Sequence, residues 1–288
     1  MNPVFKQKAC AYLQLLRWHK PIGFFLLLWP TLVALWIASD GAPESRLLTI
    51  FIVGTILMRS AGCVVNDLAD RDIDGYVART SYRPLVSGRA TYQEAWVLAL
   101  LLLLIAGLLI YPLNWLTWQL AACAVFLAVS YPLLKRFFPL PQAYLGIAFG
   151  FGMPMAFAAV SNQVPLLAWI LLLANVFWTL AYDTAYALVD RADDEKLGLY
   201  TAARTFGQYD IAAIMVCYGL FLAMIAYVGI SLEFRWPYWL AWLIMLLGML
   251  SHYRLLHTRR IENYFAVFMQ NNYFGLCWFL GVVGSYLL

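Results

Sequence analysis

Charge is what this sequence has least of. Of its 288 residues, 12% are Asp, Glu, Lys or Arg and 64% are hydrophobic, where a soluble globular domain carries about 25% charged residues. A chain of this size cannot hide so many Leu, Trp and Phe side chains from water, so the bilayer must serve as solvent. Histidine is nearly absent, with three copies, and the five cysteines lie far apart with no CxxC or Cys/His spacing. That pattern supports neither a zinc site nor a disulfide framework, and the cysteines read as filling within apolar helices. The N-terminal stretch has no small-residue cleavage pattern after a short apolar run, so the first span is expected to stay as a membrane helix. A nucleic-acid partner is not expected.

What is abundant is uninterrupted apolar sequence. Trp96–Ile110 and Pro165–Leu180 contain no charge. At about 20 residues per crossing, nine spans are predicted, near 22–39, 47–65, 93–111, 116–134, 142–160, 165–186, 211–230, 238–256 and 267–288. The expected fold is therefore an all-α polytopic membrane bundle in one domain over residues 1–288. Pro30, Pro132 and Pro154 fall inside spans, which membrane helices tolerate.

Basic residues set the orientation. Sixteen of the nineteen Lys and Arg fall on one alternating set of connections, including Lys6, Lys8, Arg17, Lys20, Arg71, Arg79, Arg83 and Arg89. The opposite set holds Arg46 and Arg235, and Arg59 lies within a span. The positive-inside rule puts the richer set and the N-terminus in the cytoplasm, and an odd number of spans puts Leu288 in the periplasm of a bacterial inner membrane.

Acidic residues are also gathered, nine of fifteen in two short stretches on that same side. The first is Asn66-Asp67-Leu68-Ala69-Asp70-Arg71-Asp72-Ile73-Asp74. The second comprises Asp183 and Asp190-Arg191-Ala192-Asp193-Asp194-Glu195. On a helix, Asn66, Asp70 and Asp74 share one face, as do Asp183, Asp190 and Asp194, with Tyr186 a turn from Asp183. Like charges at this spacing repel unless a cation joins them. Oxygen ligands without His or Cys suit Mg²⁺, which takes one or two carboxylates and completes its shell with substrate phosphates. Asn66, Asp70, Asp74, Asp190 and Asp194 are the expected metal ligands. Arg71, Arg79, Arg83, Arg191, Lys196 and Arg204 stand beside the clusters, with Lys135 and Arg136 on a loop between them. Carboxylates for metal interleaved with cations for oxyanions describe a diphosphate site. An allylic prenyl diphosphate would explain why such a site belongs to a bilayer.

The two motifs, Asn66-Asp67-x-x-Asp70-Arg71-x-x-Asp74 and Tyr182-Asp183-x-x-Tyr186-Ala187-x-x-Asp190-x-x-Asp193-Asp194, resemble those of the UbiA-type intramembrane aromatic prenyltransferases. Further likeness lies in Arg17-x-x-Lys20-Pro21-Ile22-Gly23, Arg83-Pro84-Leu85, Tyr131-Pro132 with Lys135-Arg136, and Phe206-Gly207-Gln208-Tyr209-Asp210, and it is strongest to the 4-hydroxybenzoate polyprenyltransferase branch. The resemblance implies nine helices around a cavity open to lipid, with polyprenyl diphosphate and an aromatic acceptor, 4-hydroxybenzoate, as partners. It implies Mg²⁺ bridging Asn66 and Asp70 to Asp190 and Asp194 through the diphosphate. Attack then falls on the ring carbon ortho to the hydroxyl, a step in ubiquinone biosynthesis. Asp183 is the expected group on the acceptor, and Arg136 contacts its carboxylate or the diphosphate. Asp190 and Asp194 act through the metal, and Asp67, Arg71, Arg83, Lys135, Tyr186, Lys196 and Arg204 are expected to contact substrate. The chain departs from the branch at Tyr200, Thr201 and Ala202, where a basic residue followed by Ser-Thr is usual, and Arg204 is the expected replacement for that charge.

The first alternative is a prenyltransferase acting on another aromatic acceptor, and two further rivals fit less well. A CDP-alcohol phosphotransferase needs acidic residues where Arg71, Tyr92 and Trp96 stand. A cation or proton transporter needs carboxylates near mid-membrane, whereas these lie at helix ends.

Overall fold

The computed structural model describes residues 3–76 and 80–288. Among them there is no strand. The helices run α1 (Pro3–Leu15), α2 (Ile22–Ala38), α3 (Ser45–Ala69), α4 (Arg71–Asp74), α5 (Tyr92–Ile110), α6 (Trp115–Leu134), α7 (Pro141–Gly150), α8 (Gly152–Ser161), α9 (Leu166–Lys196), α10 (Ala202–Phe206), α11 (Asp210–Ser231), α12 (Trp236–His257) and α13 (Ile261–Leu287). Arg79 lies outside the described residues.

Each expected span falls on a helix. Seven stretches are long and apolar enough to cross a membrane, with α7 and α8 together making one of them. Helix α2 is a shorter apolar helix of 17 residues. Helix α13 is 27 residues long but carries Asn263, Gln270, Asn271 and Asn272. The span expected at 142–160 is broken at Phe151. Pro154 has no N–H to give the carbonyl of Gly150 and crowds it, so the helix bends there.

Helix α9 occupies the centre, packed against α7, α8, α11 and α13, while α12 lies on α13 and α2 on α8 and α13. Two glycines permit the close α7–α9 approach. A Cβ on Gly146 would lie 2.8 Å from the Cα of Val176, and one on Gly150 would lie 2.6 Å from Nδ2 of Asn175. Small residues are what bring membrane helices together, because lipid and Leu are equally apolar and dispersion packing must supply the attraction. Leucines 100, 104 and 108 on α5 and Phe126 on α6 remain exposed, as a lipid-facing surface requires.

Length explains where the charge sits. Helix α9 has 31 residues, about 46 Å at 1.5 Å per residue, against a hydrocarbon thickness of about 30 Å. Its polar end, with Asp190 to Glu195, therefore projects beyond the apolar slab. Backbone bonds tie that end to the loop after α6: the amide of Tyr200 donates to the carbonyl of Lys135 at 2.8 Å. Arg136 Nη2 in turn donates to the carbonyl of Ala69 at 2.8 Å. The ends of α3, α6 and α9 thus meet on one side of the bundle.

Candidate functional site

At the end of α3 the first motif is held by cations drawn from three distant segments. Asp67 is buried and accepts from Arg17 Nη2 at 2.6 Å and lies 3.1 Å from Arg83 Nη1. Arg83 Nη1 also meets Asp74 Oδ2 at 2.5 Å. Lys135 Nζ sits 2.5 Å from Asp70 Oδ2, which accepts a second bond from Asn66 Nδ2 at 3.1 Å. A buried carboxylate is tolerable only with such partners. Burial nonetheless pushes the Asp74 carboxyl above its ordinary range, with Arg83 pulling the other way.

Two oxygens in this array have no hydrogen-bond partner, Asp67 Oδ2 and Asp70 Oδ1. An orphaned buried carboxylate oxygen beside an amide oxygen donor, Asn66, is the donor chemistry of a hard divalent cation. Among the described residues no three acidic, His or Cys side chains come together as a self-sufficient metal cage. The arrangement therefore fits Mg²⁺ held by one or two carboxylates and completed by a phosphate ligand.

The second motif lies on α9. Asp183, Asp190 and Asp194 share a face, and Tyr186 packs its ring 4.5 Å from that of Phe268 on α13. Arg191 turns away from this face to Asp210, at 3.2 Å. Three cations expected at the substrate have other partners. Arg71 pairs with Asp72 at 3.1 Å and stacks on Tyr92. Lys196 is largely exposed, 3.5 Å from Asp193. Arg204 Nη1 donates to the carbonyls of Leu199 and Asp194 and so closes the end of α9. At the departure noted above, Thr201 caps α10 by accepting from the amide of Arg204 at 3.3 Å.

Between the two motifs lies a cavity of about 950 Å³. Asn66, Arg83, Asp183 and Tyr186 line it, together with Arg17, Lys20 and Tyr131. Its deeper walls are apolar and small, including Gly54 on α3, Ala106 and Gly107 on α5, and Ala121 and Ala128 on α6. Asp67, Asp70, Asp74, Lys135 and Arg136 are not in the lining but gather beside Asn66 at the end of α3, and Asp190 and Asp194, also outside it, follow Tyr186 along α9.

Among the charged lining residues, Arg59 was given no role from the sequence. Arg59 on α3 reaches the cavity, its guanidinium 5.3 Å from the ring centroid of Phe149, with Nε buried and unpartnered. A Cβ on Gly23 would fall 2.7 Å from Arg59 Nε and Nη2, so the glycine after Lys20-Pro21-Ile22 makes room for this cation. The signal was legible: a lone Arg inside an apolar span marks function by default.

The chain is similar over nearly its whole length to known proteins. The profile of the UbiA prenyltransferase family matches residues 27–276. A 4-hydroxybenzoate octaprenyltransferase of Methylobacillus flagellatus is 55% identical over 284 residues, covering 99% of this chain and 96% of that protein. One of Burkholderia mallei is 55% identical over 277 residues, with 96% of each chain covered. Among solved structures, a UbiA homolog from Aeropyrum pernix K1 superposes with a TM-score of 0.79 at 22% identity, covering 92% of this chain and 96% of that one. A UbiA homolog from Archaeoglobus fulgidus bound to GPP and Mg²⁺ gives 0.70 at 17% identity, covering 95% and 99%. With its two aspartate motifs at one end of an apolar cavity, this chain belongs to the UbiA prenyltransferase family.

Proposed function

We infer that this enzyme transfers a polyprenyl group from polyprenyl diphosphate to the ring carbon of 4-hydroxybenzoate ortho to its hydroxyl. The observation that carries the reading is the polarity of the cavity: apolar and small-walled in depth, with Arg59 set among those walls and its Nε buried, and ended by carboxylates, arginines and a lysine. The names of relatives that share 55% of its residues over nearly the whole chain support the acceptor and the long prenyl donor.

In this reading Asn66, Asp70, Asp190 and Asp194, with Asp74, are the residues that would hold Mg²⁺ and, through it, the diphosphate. Bound Mg²⁺ neutralises the charge that grows on the diphosphate as it leaves. Lys135, Arg83 and Arg136 stand at the same end and add fixed positive charge, effective because the site is shielded from water. The carbon chain lies in the apolar depth of the cavity. Arg59 offers its free Nε–H to the acceptor carboxylate, a charge-assisted bond in a dry site. Asp183, which lines the cavity a turn from Tyr186, accepts from the phenol hydroxyl and so raises electron density at the ortho carbon. The allylic C–O bond breaks with its electron pair on the diphosphate, the ortho carbon forms the C–C bond, and the ring proton passes to the departed diphosphate to restore aromaticity. Orientation follows the basic residues, with the N-terminus and both motifs in the cytoplasm of a bacterial inner membrane and the C-terminus in the periplasm.

The test is transfer from radiolabelled polyprenyl diphosphate to 4-hydroxybenzoate by purified protein in lipid nanodiscs, with and without Mg²⁺. Prenylated 4-hydroxybenzoate formed only with Mg²⁺ is the expected result. An inactive wild-type protein in intact discs would overturn the assignment.

A further inference from the structure

Helix α9 poses a mechanical problem that its partners solve. Its polar extension carries Asp190 and Asp194 past the apolar slab, where fewer side chains pack against it. Residue 191 lies about 100° around the helix from residue 190, so whatever holds Arg191 also sets the direction in which Asp190 and Asp194 point. Arg191 Nη1 reaches Asp210 Oδ2 at 3.2 Å and the carbonyl of Gly207 at 3.4 Å, while its Nε bonds Glu195 at 3.0 Å. Asp210 opens α11 and has no solvent exposure. Both of its oxygens accept from Arg259 Nη1, each at 2.7 Å. Arg259 lies in the turn between α12 and α13 with a left-handed φ of 54°, a conformation a non-glycine residue keeps only when its surroundings hold it.

We propose that Asp210 is a positioning residue for the second aspartate motif, one buried carboxylate that locks the rotation of the α9 extension against α11 and the α12–α13 turn. The charges of the cluster balance, two guanidinium groups against Asp210 and Glu195. The guanidinium fork also gives the contact direction, which a lysine at the same place would not reproduce. The proposal rests on the metal–diphosphate reading above, because the extension matters only if Asp190 and Asp194 must face the opposite motif. Groups behind a metal ligand typically change metal affinity by about 10- to 100-fold when removed.

The experiment compares wild type, Asp210→Asn and Arg191→Lys in nanodiscs. It uses Mn²⁺ as an EPR-visible probe titrated in the presence of unreactive farnesyl thiolodiphosphate, beside steady-state kinetics with 4-hydroxybenzoate. Asp210→Asn is expected to weaken Mn²⁺ binding by roughly 10-fold or more and to lower kcat, with the KM for 4-hydroxybenzoate unchanged. Arg191→Lys retains the charge beside Asp210 and is expected to fold, with a smaller loss in the same direction. If Asp210→Asn does not fold, Arg191→Lys decides. Mn²⁺ affinity equal to wild type in the folded variants would overturn the proposal, even if their melting temperatures fell. A wild-type protein that binds no Mn²⁺ with the analogue would instead remove the metal–diphosphate reading, and this proposal with it.

Discussion

In the proposed reading Arg59 and the aspartates that end the cavity divide the two substrates between them, and single substitutions should separate them. Asp70 offers one free oxygen at the polar end, so Asp70→Ala, like Asp190→Ala, is expected to abolish transfer while the protein still inserts. Near-normal turnover in either variant would remove the ligand assignment. Arg59→Ala is expected to raise the KM for 4-hydroxybenzoate by roughly 10- to 100-fold, the loss of one charged hydrogen bond of about 1.5–3 kcal/mol. The KM for polyprenyl diphosphate should not move. Gly23→Ala should give a weaker form of the same defect, because its methyl would displace the guanidinium rather than the backbone. A Gly23→Ala enzyme with an unchanged KM for 4-hydroxybenzoate would show that Arg59 does not serve the acceptor.

At the scale of the element, α13 is a 27-residue helix with a polar stretch in its middle, and its hydrogen bonds have a fixed direction. The indole N–H of Trp178 can only donate, so it claims Asn271 Oδ1 at 2.8 Å. Asn271 Nδ2 then donates to the Tyr218 hydroxyl and the Val267 carbonyl, each at 2.8 Å. Tyr218 passes its proton toward His252 Nδ1 at 3.3 Å, leaving Nε2–H for Gln270 Oε1 at 2.9 Å. Helices α9, α11, α12 and α13 are joined by this chain without a charge. Asn271→Leu interrupts it at the centre and should cost about 1 kcal/mol by equilibrium unfolding in mixed micelles. The figure is modest because the unfolded chain in a membrane also finds partners. A loss several times larger would mean that the network carries the packing of α9 itself.

For the whole molecule the prediction is sidedness. Alkaline phosphatase fused after Leu288 should be active, and the same reporter fused in the loop after α6, near Phe138, should be inactive. The reverse pattern would invert the orientation that the basic residues imply. The same end of the bundle holds Lys135 on Asp70, Arg136 on the end of α3, and Tyr200 on the α6 loop. Both aspartate motifs therefore face one compartment, whichever it is.

Much of this was legible in the sequence, and the reason is physical. Partition into lipid, helix length and the face shared by residues three, four or seven apart depend on local composition and spacing. Such properties placed the helices, seven stretches of them long and apolar enough to cross a membrane where nine spans were expected, and both acidic clusters at helix ends. They did not fix which long cation goes to which carboxylate. The sequence put Arg71, Lys196 and Arg204 beside the motifs, yet their partners are Asp72, Asp193 and the carbonyls of Asp194 and Leu199. Asp67 is instead held by Arg17 and Arg83, from segments on either side of it in the chain. Arg59 reaches the cavity because Gly23 on another helix leaves it room, and Asp210 commands α9 from across a turn. An Arg or Lys side chain is long and flexible, so its partner is decided by which distant segments the packed helices bring within its reach, and that is a property of the tertiary structure alone.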